Sequence, residues 1–304
     1  MPDRVVLIRI QHRKASAATV AVSEIAWKMN EPLRLMGVLA HPDDESLGFG
    51  GALAKYATER VETSLVTATL GEAGRYNGIA PGAPGHPGAE ELARIREREL
   101  RAAVATLGVR DLSLLGYRDQ LLDRADPREA IGRIVTHLRR VRPHVVVTFA
   151  HDGAYGHPDH VAISQFTNAA VVAAADPRFE SPALDRTYAP HAVAKLYHLA
   201  WPHAAMAAYQ EAFRKLVSHV DGIEREALPW PDWMLSCVID THAHWEQVWR
   251  AVCCHQSQIT AYERLQHLSP AGHEGLWGWQ SFYRAFSTVN GGRARETDLF
   301  EGLR

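Results

Sequence analysis

Two short clusters of histidine and acidic side chains stand out in this 304-residue chain. The first is HPDDE at residues 41–45, and the second is HPDH at residues 157–160, which ends the run HDGAYGHPDH. Each cluster contains an HPD triplet with a further acid or imidazole beside it. Imidazole nitrogens and carboxylate oxygens are common protein ligands of zinc and of other divalent transition metals. If the two clusters meet in space, the sequence predicts a metal site.

Both clusters follow an apolar run with the length of a buried strand. Residues 33–40 run directly into the first cluster, and residues 142–150, RPHVVVTFA, run into the second. Continuous apolar runs of this length are typical of strands buried on both faces of a parallel sheet. In open α/β sheets, ligands bind at the carboxyl ends of the strands. Both clusters would therefore lie at the ligand-binding edge of one sheet.

The rest of the chain alternates strand and helix patterns. Besides residues 33–40 and 144–150, the predicted strands are 61–70, 111–115, 193–200 and 233–239, and the predicted helices are 89–107, 127–140, 159–175, 203–218 and 243–264. Alternation of this kind predicts an α/β fold. We expect a Rossmann-like, mostly parallel sheet flanked by helices, with a smaller C-terminal extension.

The length suits one large domain. We expect residues 33–304 to form it, with the core of the metal site in 33–170 and a part that shapes the substrate pocket in 171–304. Residues 1–32 are expected to be an N-terminal extension, either a disordered arm, an appended strand or a non-native stretch if the true start is Met29. This extension contains no apolar stretch long enough for a signal peptide or a membrane span.

The composition is ordinary for a globular protein. The formal net charge of −2 gives no reason to expect nucleic acid or an anionic membrane surface as a partner. The three cysteines have the spacing of neither a disulfide framework nor a zinc site, so we expect a cytoplasmic protein. The expected partner is a small molecule, and the sequence is also compatible with a homo-oligomer.

The two clusters and their surroundings resemble the zinc-dependent de-N-acetylases of the PIG-L/LmbE type, including those of the mycothiol pathway. These enzymes remove acetyl groups from N-acetylglucosaminyl compounds. The resemblance is carried by HPDDE at 41–45, YGHPDH at 155–160, GEAGR at 71–75, GYRD at 116–119 and HQSQ at 255–258. It covers residues 33–170 well and the remainder only through HQSQ, which we expect on a late helix. It implies a bacterial hydrolase that removes the N-acetyl group from an N-acetylglucosaminyl-type small molecule.

The resemblance also implies the metal ligands and the general base. By analogy with the family, His41, Asp44 and His160 would hold the metal, and Asp43 would take a proton from the attacking water. A zinc ion with three protein ligands keeps one open position and lowers the pKa of its water to about 7. Two neutral imidazoles and one carboxylate would leave a net charge of +1 on the site. Iron(II) or another divalent metal also suits this ligand set.

Three further residues of the second cluster have roles implied by the family. His157, as a cation beside the metal, would stabilise the oxyanion or protonate the leaving amine. Asp159 would orient an imidazole. Tyr155 matches a tyrosine that takes part in the chemistry of the mycothiol-pathway enzymes.

Arg75, Asp119 and His255 are the candidate substrate-binding residues. Arg75 would clamp sugar hydroxyls or a phosphate. Asp119 would bind a sugar hydroxyl or support a ligand histidine, and His255 would orient Asp43 or reach the substrate. We interpret the charges of EELARIREREL in the helix at 89–107 as a solvated face, and Glu45 either as a catalytic group or as an acid favoured at a helix start.

Other classes of protein remain open at this stage. Two histidines and a carboxylate also form the facial triad of non-haem iron(II) oxygenases, although those sites lie on antiparallel barrels. Glycines at 48, 50 and 51 prompt comparison with nucleotide-binding proteins, but the G-x-G-x-x-G spacing is absent. Within the hydrolases, the alternative is an amidase that cleaves a larger N-acyl group from an amino-sugar conjugate or a glycosylated natural product.

Overall fold

The computed structural model describes residues 31–213, 217–220, 222–292 and 294–304. The strands are β1 Arg34–Leu39, β2 Glu62–Thr67, β3 Asp111–Leu114, β4 Val145–Thr148, β5 Lys195–Leu199, β6 Val217–Val220, β7 Ile223–Glu226, β8 Cys237–Asp240 and β9 Trp279–Ser287. The helices are α1 Asp44–Leu47, α2 Gly50–Thr58, α3 Ala89–Leu107, α4 Pro127–Val141, α5 Gly153–Gly156, α6 Pro158–Ala175, α7 His203–Phe213, α8 Trp245–Val252, α9 Glu263–Gln266 and α10 Pro270–Trp277. Short 3-10 helices lie at Leu122–Arg124, Asp232–Met234, His242–His244 and Gln256–Tyr262.

The central sheet has the strand order β3-β2-β1-β4-β5-β9-β8. Strands β1 to β5 pair in parallel, and β9 and β8 pair antiparallel at one side. The predicted mostly parallel, Rossmann-like α/β sheet is therefore confirmed. Because the strand order reverses between β1 and β4, these two neighbours form the topological switch point, where ligands of such sheets bind.

The two central strands are held by buried apolar side chains. β1 and β4 pair in the register Leu35 with Val145 and Met36 with Val146, and all four side chains are fully buried. Burial of each such side chain contributes about 1.5–3 kcal/mol. Helices α4 and α6 pack together on the sheet, as do α2, α3 and α8. The carboxyl ends of β1 and β4 are thereby fixed side by side.

The second half of the chain joins this sheet to a greater extent than we expected. β5, β8 and β9 extend the main sheet, and only the hairpin of β6 and β7 stands apart from it. Residues 33–304 form one compact unit. The finer division at residue 170 stays a prediction, and residues 1–30 of the predicted N-terminal extension lie outside the described residues.

Three predicted elements of the second half were wrong in extent. The helix predicted at 203–218 is described only to Phe213, and Ser218 lies in β6. The strand predicted at 233–239 starts with a 3-10 turn, and Trp233 is 82% exposed, so its apolar ring is not part of a buried strand face. The helix predicted at 243–264 ends at Val252. A turn and the 3-10 helix Gln256–Tyr262 follow it, and the first residues there contact other elements, as described below.

No helix within the described residues combines the length and the apolarity that crossing a bilayer would require.

Candidate metal and catalytic site

The segments that follow β1 and β4 bring three predicted metal ligands together: His41, Asp44 at the start of α1 and His160 in the first turn of α6. His41 Nδ1 lies 3.1 Å from His160 Nε2, His160 Nε2 lies 3.4 Å from Asp44 Oδ1, and His41 Nδ1 lies 3.6 Å from Asp44 Oδ2. Ligands about 2.0–2.1 Å from a tetrahedral zinc ion are roughly 3.3 Å from one another. The two imidazole nitrogens have the spacing that one such ion needs, and Asp44 approaches each of them through a different carboxylate oxygen.

Surrounding groups fix the orientation of both imidazoles. His41 Nε2 is 3.2 Å from both Asp119 Oδ1 and Asp159 Oδ2, so this nitrogen can donate to a carboxylate while Nδ1 faces the other ligands. His160 Nδ1 is 3.2 Å from the carbonyl oxygen of Gly153, and its ring stacks on Phe149 at 3.9 Å. Partners of this kind set the tautomer and the ring position of metal-binding histidines.

Asp119 and Asp159 are themselves held by backbone N–H groups. Asp159 is fully buried and accepts from the amides of Gln120 at 2.7 Å and Leu122 at 3.1 Å. Asp119 accepts from the amide of Ala73 at 3.0 Å. The two carboxylates are therefore firmly placed against His41, which is the supporting role predicted for Asp119 as one of its two alternatives.

The electrostatics of the cluster favour positive charge near His41. Burial lowers the pKa of His41, but hydrogen bonds to Asp119 and Asp159 and the charge of Asp44 outweigh it and raise the pKa to about 10. Burial also raises the pKa of Asp44 to about 7, against the opposing charge of His41. Such surroundings stabilise a cation at this point, whether a proton or a metal ion provides the charge.

Among the described residues, two groups have donor atoms close enough to hold a metal ion jointly. They are His41 with His157 and His160, and His41 with Asp119 and Asp159. The donor distances above add Asp44 as an alternative third ligand to His41 and His160. A His/Asp group that could bind a metal is therefore present at the switch point.

His157 lies beside the two histidines and presents a neutral donor. Its ring centroid is 4.8 Å from those of His41 and His160, and its Nδ1 accepts from the amide of Asp159 at 3.2 Å. Burial, followed by the charge of His41, lowers the pKa of His157 to about 4. The ring is then neutral with its hydrogen on Nε2, so the structure favours a neutral donor over the cation expected from the sequence.

Tyr155 is the second aromatic group of the loop that approaches the site. Its ring lies 5.3 Å from that of His160 and 5.9 Å from that of His157. Burial and the nearby charges of Asp44 and Asp43 raise the pKa of its hydroxyl. The hydroxyl is therefore a protonated donor at neutral pH.

The HPDDE turn depends on a buried glutamate. Asp43 has the left-handed backbone angle φ 100°, which is uncommon for a residue with a side chain. Its N–H donates to Glu45 Oε2 at 2.9 Å, while Glu45 Oε1 is 2.8 Å from His255 Nε2. Glu45 and His255 are both fully buried. Glu45 is therefore a structural partner of the Asp43 backbone as well as an acid at the start of α1.

Arg96 is a site residue that the sequence analysis missed. It lies on α3, is 5% exposed, and donates through Nη2 to Asp43 Oδ2 at 3.1 Å and to the carbonyl of Pro42 at 2.5 Å. Its Nη1 donates to the carbonyl of Gly71 at 2.9 Å. A Cβ at Gly71 would lie 1.9 Å from Arg96 Nη1, so this glycine makes room for the guanidinium.

The interpretation of α3 as carrying only solvated charges was therefore wrong for Arg96. Arg96 stands four residues after Leu92 and four before Leu100, which are both fully buried. It thus lies on the apolar stripe of the helix. A charged residue on that stripe was the available signal, because an unpaired buried guanidinium would be too costly.

Arg96→Lys is expected to lower kcat/KM by about 10- to 100-fold. One ammonium cannot reproduce the three hydrogen bonds of the guanidinium, and a hydrogen bond to a charged group is worth about 1.5–3 kcal/mol. Steady-state kinetics with metal content measured in parallel would test this. Unchanged kinetics in a folded, metal-loaded variant would show that Arg96 does not help to place Asp43.

The remaining two predicted substrate residues have different surroundings. Arg75 is exposed, and its Nη1 donates to the carbonyl of Gly78 at 2.9 Å, so it is accessible at the loop of 71–88. His255 follows α8 rather than lying on a helix, and it is enclosed against Glu45. This placement favours its orienting role over substrate contact. Direct substrate contact by either residue stays a prediction.

The fold and the site together define a class. The chain is a Rossmann-like α/β protein whose switch point holds a His/Asp group able to bind a metal.

Comparison with known proteins identifies the family. The family model described as GlcNAc-PI de-N-acetylase, PIG-L, matches residues 36–171. A 1D-myo-inositol 2-acetamido-2-deoxy-alpha-D-glucopyranoside deacetylase of Thermobispora bispora is 32% identical over 306 residues, covering 89% of this chain and 98% of the relative. The enzyme of the same name from Geodermatophilus obscurus is 34% identical over 304 residues, covering 90% and 99%. The chain belongs to the PIG-L family.

Solved structures agree with the fold. The N,N'-diacetylchitobiose deacetylase from Pyrococcus horikoshii has a TM-score of 0.60 at 21% identity, over 83% of each chain. The sequence-based prediction of a deacetylase, an enzyme that hydrolyses an amide bond, is thus confirmed by the family and its curated members. The individual roles of the site residues stay predictions.

Proposed function

We propose that this enzyme removes the acetyl group from an N-acetylglucosaminyl unit of a small conjugate, with a metal held by His41, Asp44 and His160. The observation that supports this most directly is the meeting of the two HPD clusters at the β1/β4 switch point, with donor atoms 3.1–3.6 Å apart. Zinc is the metal we propose, because a nitrogen-rich set of three ligands with tetrahedral spacing suits it. Iron(II) is the alternative metal.

A zinc ion bound there would activate a water molecule near neutral pH and polarise the amide carbonyl. Asp43 lies between the proposed ligands His41 and Asp44 in the chain and is the general base in this proposal, accepting a proton from the attacking water. The contact from Arg96 to Asp43 Oδ2 fixes the direction of the carboxylate. Asp43 would then return the proton to the leaving amine.

His157 and Tyr155 are proposed to stabilise the developing oxyanion. Both are donors: His157 through Nε2–H, because its Nδ1 accepts from the backbone, and Tyr155 through its protonated hydroxyl. Fixed donors aimed at developing charge commonly contribute about 2.7–4 kcal/mol each to the lowering of a barrier. Asp159 supports the site by holding His41, since its carboxylate contacts His41 Nε2 and its amide contacts His157.

The substrate class follows from the relatives. They are named for a glucosaminide in which an inositol is the second half of the molecule. We propose a similar conjugate here, with a polyol as the aglycone. Arg75 in the loop of 71–88 and residues 171–304 would shape the pocket for it. The alternative remains an amidase that accepts a larger N-acyl group, because the acyl pocket is not defined by the metal ligands.

The first test is acetate release from three compounds by zinc-reconstituted protein. The three compounds are N-acetylglucosamine, N,N'-diacetylchitobiose and the inositol glucosaminide of the relatives. An N-propionyl analogue is assayed beside them for release of propionate. We expect the highest kcat/KM on the inositol conjugate, and we expect chelation to lower turnover by at least about 100-fold, since a catalytic metal supplies several kcal/mol.

Readdition of zinc to the chelated protein is the control for damage by the chelator. Acetate release that survives complete metal removal would contradict the metal role. Release of propionate without acetate would favour the amidase.

A further inference from the structure

The segment His255–Gln258, here called the HQSQ segment, contacts three separate parts of the site. It follows α8, and its last three residues begin the 3-10 helix Gln256–Tyr262. His255 and Ser257 are buried, at 0% and 2% exposure. The mechanism proposed above does not use it.

The first contact reaches the general base through Glu45. His255 Nε2 is 2.8 Å from Glu45 Oε1, and Glu45 Oε2 accepts the N–H of Asp43 at 2.9 Å. The three residues form a chain of hydrogen bonds that ends on a backbone with φ 100°. A backbone conformation of this kind persists only when several contacts with neighbouring groups hold it.

The second contact reaches helix α3. The N–H and hydroxyl of Ser257 donate to Glu99 Oε1 and Oε2 at 2.6 and 2.7 Å. Glu99 stands one turn after Arg96, whose guanidinium contacts the carboxylate of Asp43. The HQSQ segment is thus tied to both supports of Asp43, the one on its backbone and the one on its side chain.

The third contact reaches the loop of 71–88. The carbonyl of Ser257 accepts from the amide of Asn77 at 2.8 Å, and Gln258 Nε2 donates to the carbonyl of Arg75 at 2.9 Å. Both contacts involve the backbone of the loop and are therefore independent of its side chains. They fix the segment from which Arg75 projects.

We infer that the HQSQ segment positions two functional parts of the site separately: His255 holds the Asp43 turn through Glu45, and Gln258 with Ser257 holds the substrate loop. This inference rests on the proposed function, since it assigns base and substrate roles to the parts that are held. His255 is then a positioning residue that acts through Glu45 and makes no contact with substrate.

The inference predicts that His255 mainly affects kcat and that Gln258 mainly affects KM. His255→Leu should lower kcat by about 10- to 100-fold with KM within about 2-fold, because small misplacement of a catalytic group costs rate rather than ground-state binding. His255→Gln, which can place a donor near the position of Nε2, should recover most of the loss. Gln258→Ala should raise KM by about 3- to 10-fold and leave kcat nearly unchanged.

His273→Leu is the matched control for loss of a buried imidazole. His273 is 6% exposed and its Nε2 contacts the carbonyl of Leu265 at 2.7 Å, outside the network described here. It should lower stability without changing the kinetics of the folded fraction. Equal kinetic losses in His273→Leu and His255→Leu would overturn the inference.

A double-mutant cycle tests whether His255 acts through Asp43. In an Asp43→Asn background, the further effect of His255→Leu on kcat should shrink to less than about 2-fold, because the group being positioned no longer acts as a base. An undiminished effect in that background would overturn the inference.

Amide exchange gives a readout that does not depend on activity. The Asp43 N–H should exchange slowly in the wild type and in His255→Gln, and at least about 10-fold faster in His255→Leu, as followed by mass spectrometry of peptides spanning 41–47. Unchanged exchange would overturn the positioning role even if the enzyme released no acetate from any compound. Lack of acetate together with the expected exchange pattern would count against the proposed function alone.

Discussion

Asp43→Asn is expected to keep about one metal ion per chain while lowering kcat by roughly 10²- to 10⁴-fold. The amide has the shape of the carboxylate and tolerates the left-handed backbone of this position, so the turn should survive. It cannot accept a proton from water at neutral pH, and the general-base contribution is lost. Metal analysis of the purified variant beside steady-state kinetics measures both quantities at once.

The two readouts separate the possible roles of Asp43. Loss of metal in Asp43→Asn would move this residue into the ligand set, whereas full metal and full turnover would remove it from the chemistry. Arg96→Lys is a useful comparison, because it leaves the carboxylate in place and changes only its support. The reduction of kcat in Arg96→Lys should therefore be smaller than that in Asp43→Asn.

His160→Ala should abolish stable metal binding and with it the measured activity. His160 is 2% exposed and supplies one donor atom of the proposed three. Removal of an outer partner of a ligand costs about 10- to 100-fold in metal affinity, and loss of the ligand itself should cost more. His41→Ala should behave in the same way. Calorimetric titration of the metal-free protein with zinc measures the zinc affinity of each variant.

The third ligand can be decided by the same titration. Asp44→Asn should weaken metal binding if the ligands are His41, Asp44 and His160, whereas His157→Ala should leave the affinity nearly unchanged and lower kcat. The reverse pattern would place His157 on the metal instead, as the group of His41, His157 and His160 allows. Circular dichroism of each apoprotein would show that the folds are intact. Undiminished metal content in His160→Ala would overturn the site as proposed.

The sequence by itself determined the parallel sheet and the position of the site. Apolar runs of strand length are set by local composition, and an HPD cluster follows each run, at once after residue 40 and six residues further on after residue 150. Parallel strands place their carboxyl ends at one edge, so two such clusters meet if their strands are neighbours. The structure shows that β1 and β4 are neighbours. The family resemblance needed only these local motifs.

Only the tertiary structure decided which other side chains support the site. Arg96 is 53 residues from Asp43 in sequence, and a helical pattern cannot show that its charge is paired inside the protein. His255 is 210 residues from Glu45, and no local pattern shows that the two are hydrogen-bonded inside the protein. The hydrophobic periodicity of the sequence shows only which face of its own helix or strand a residue lies on. The partners of a buried charge belong to other elements, and only the folded chain brings them together.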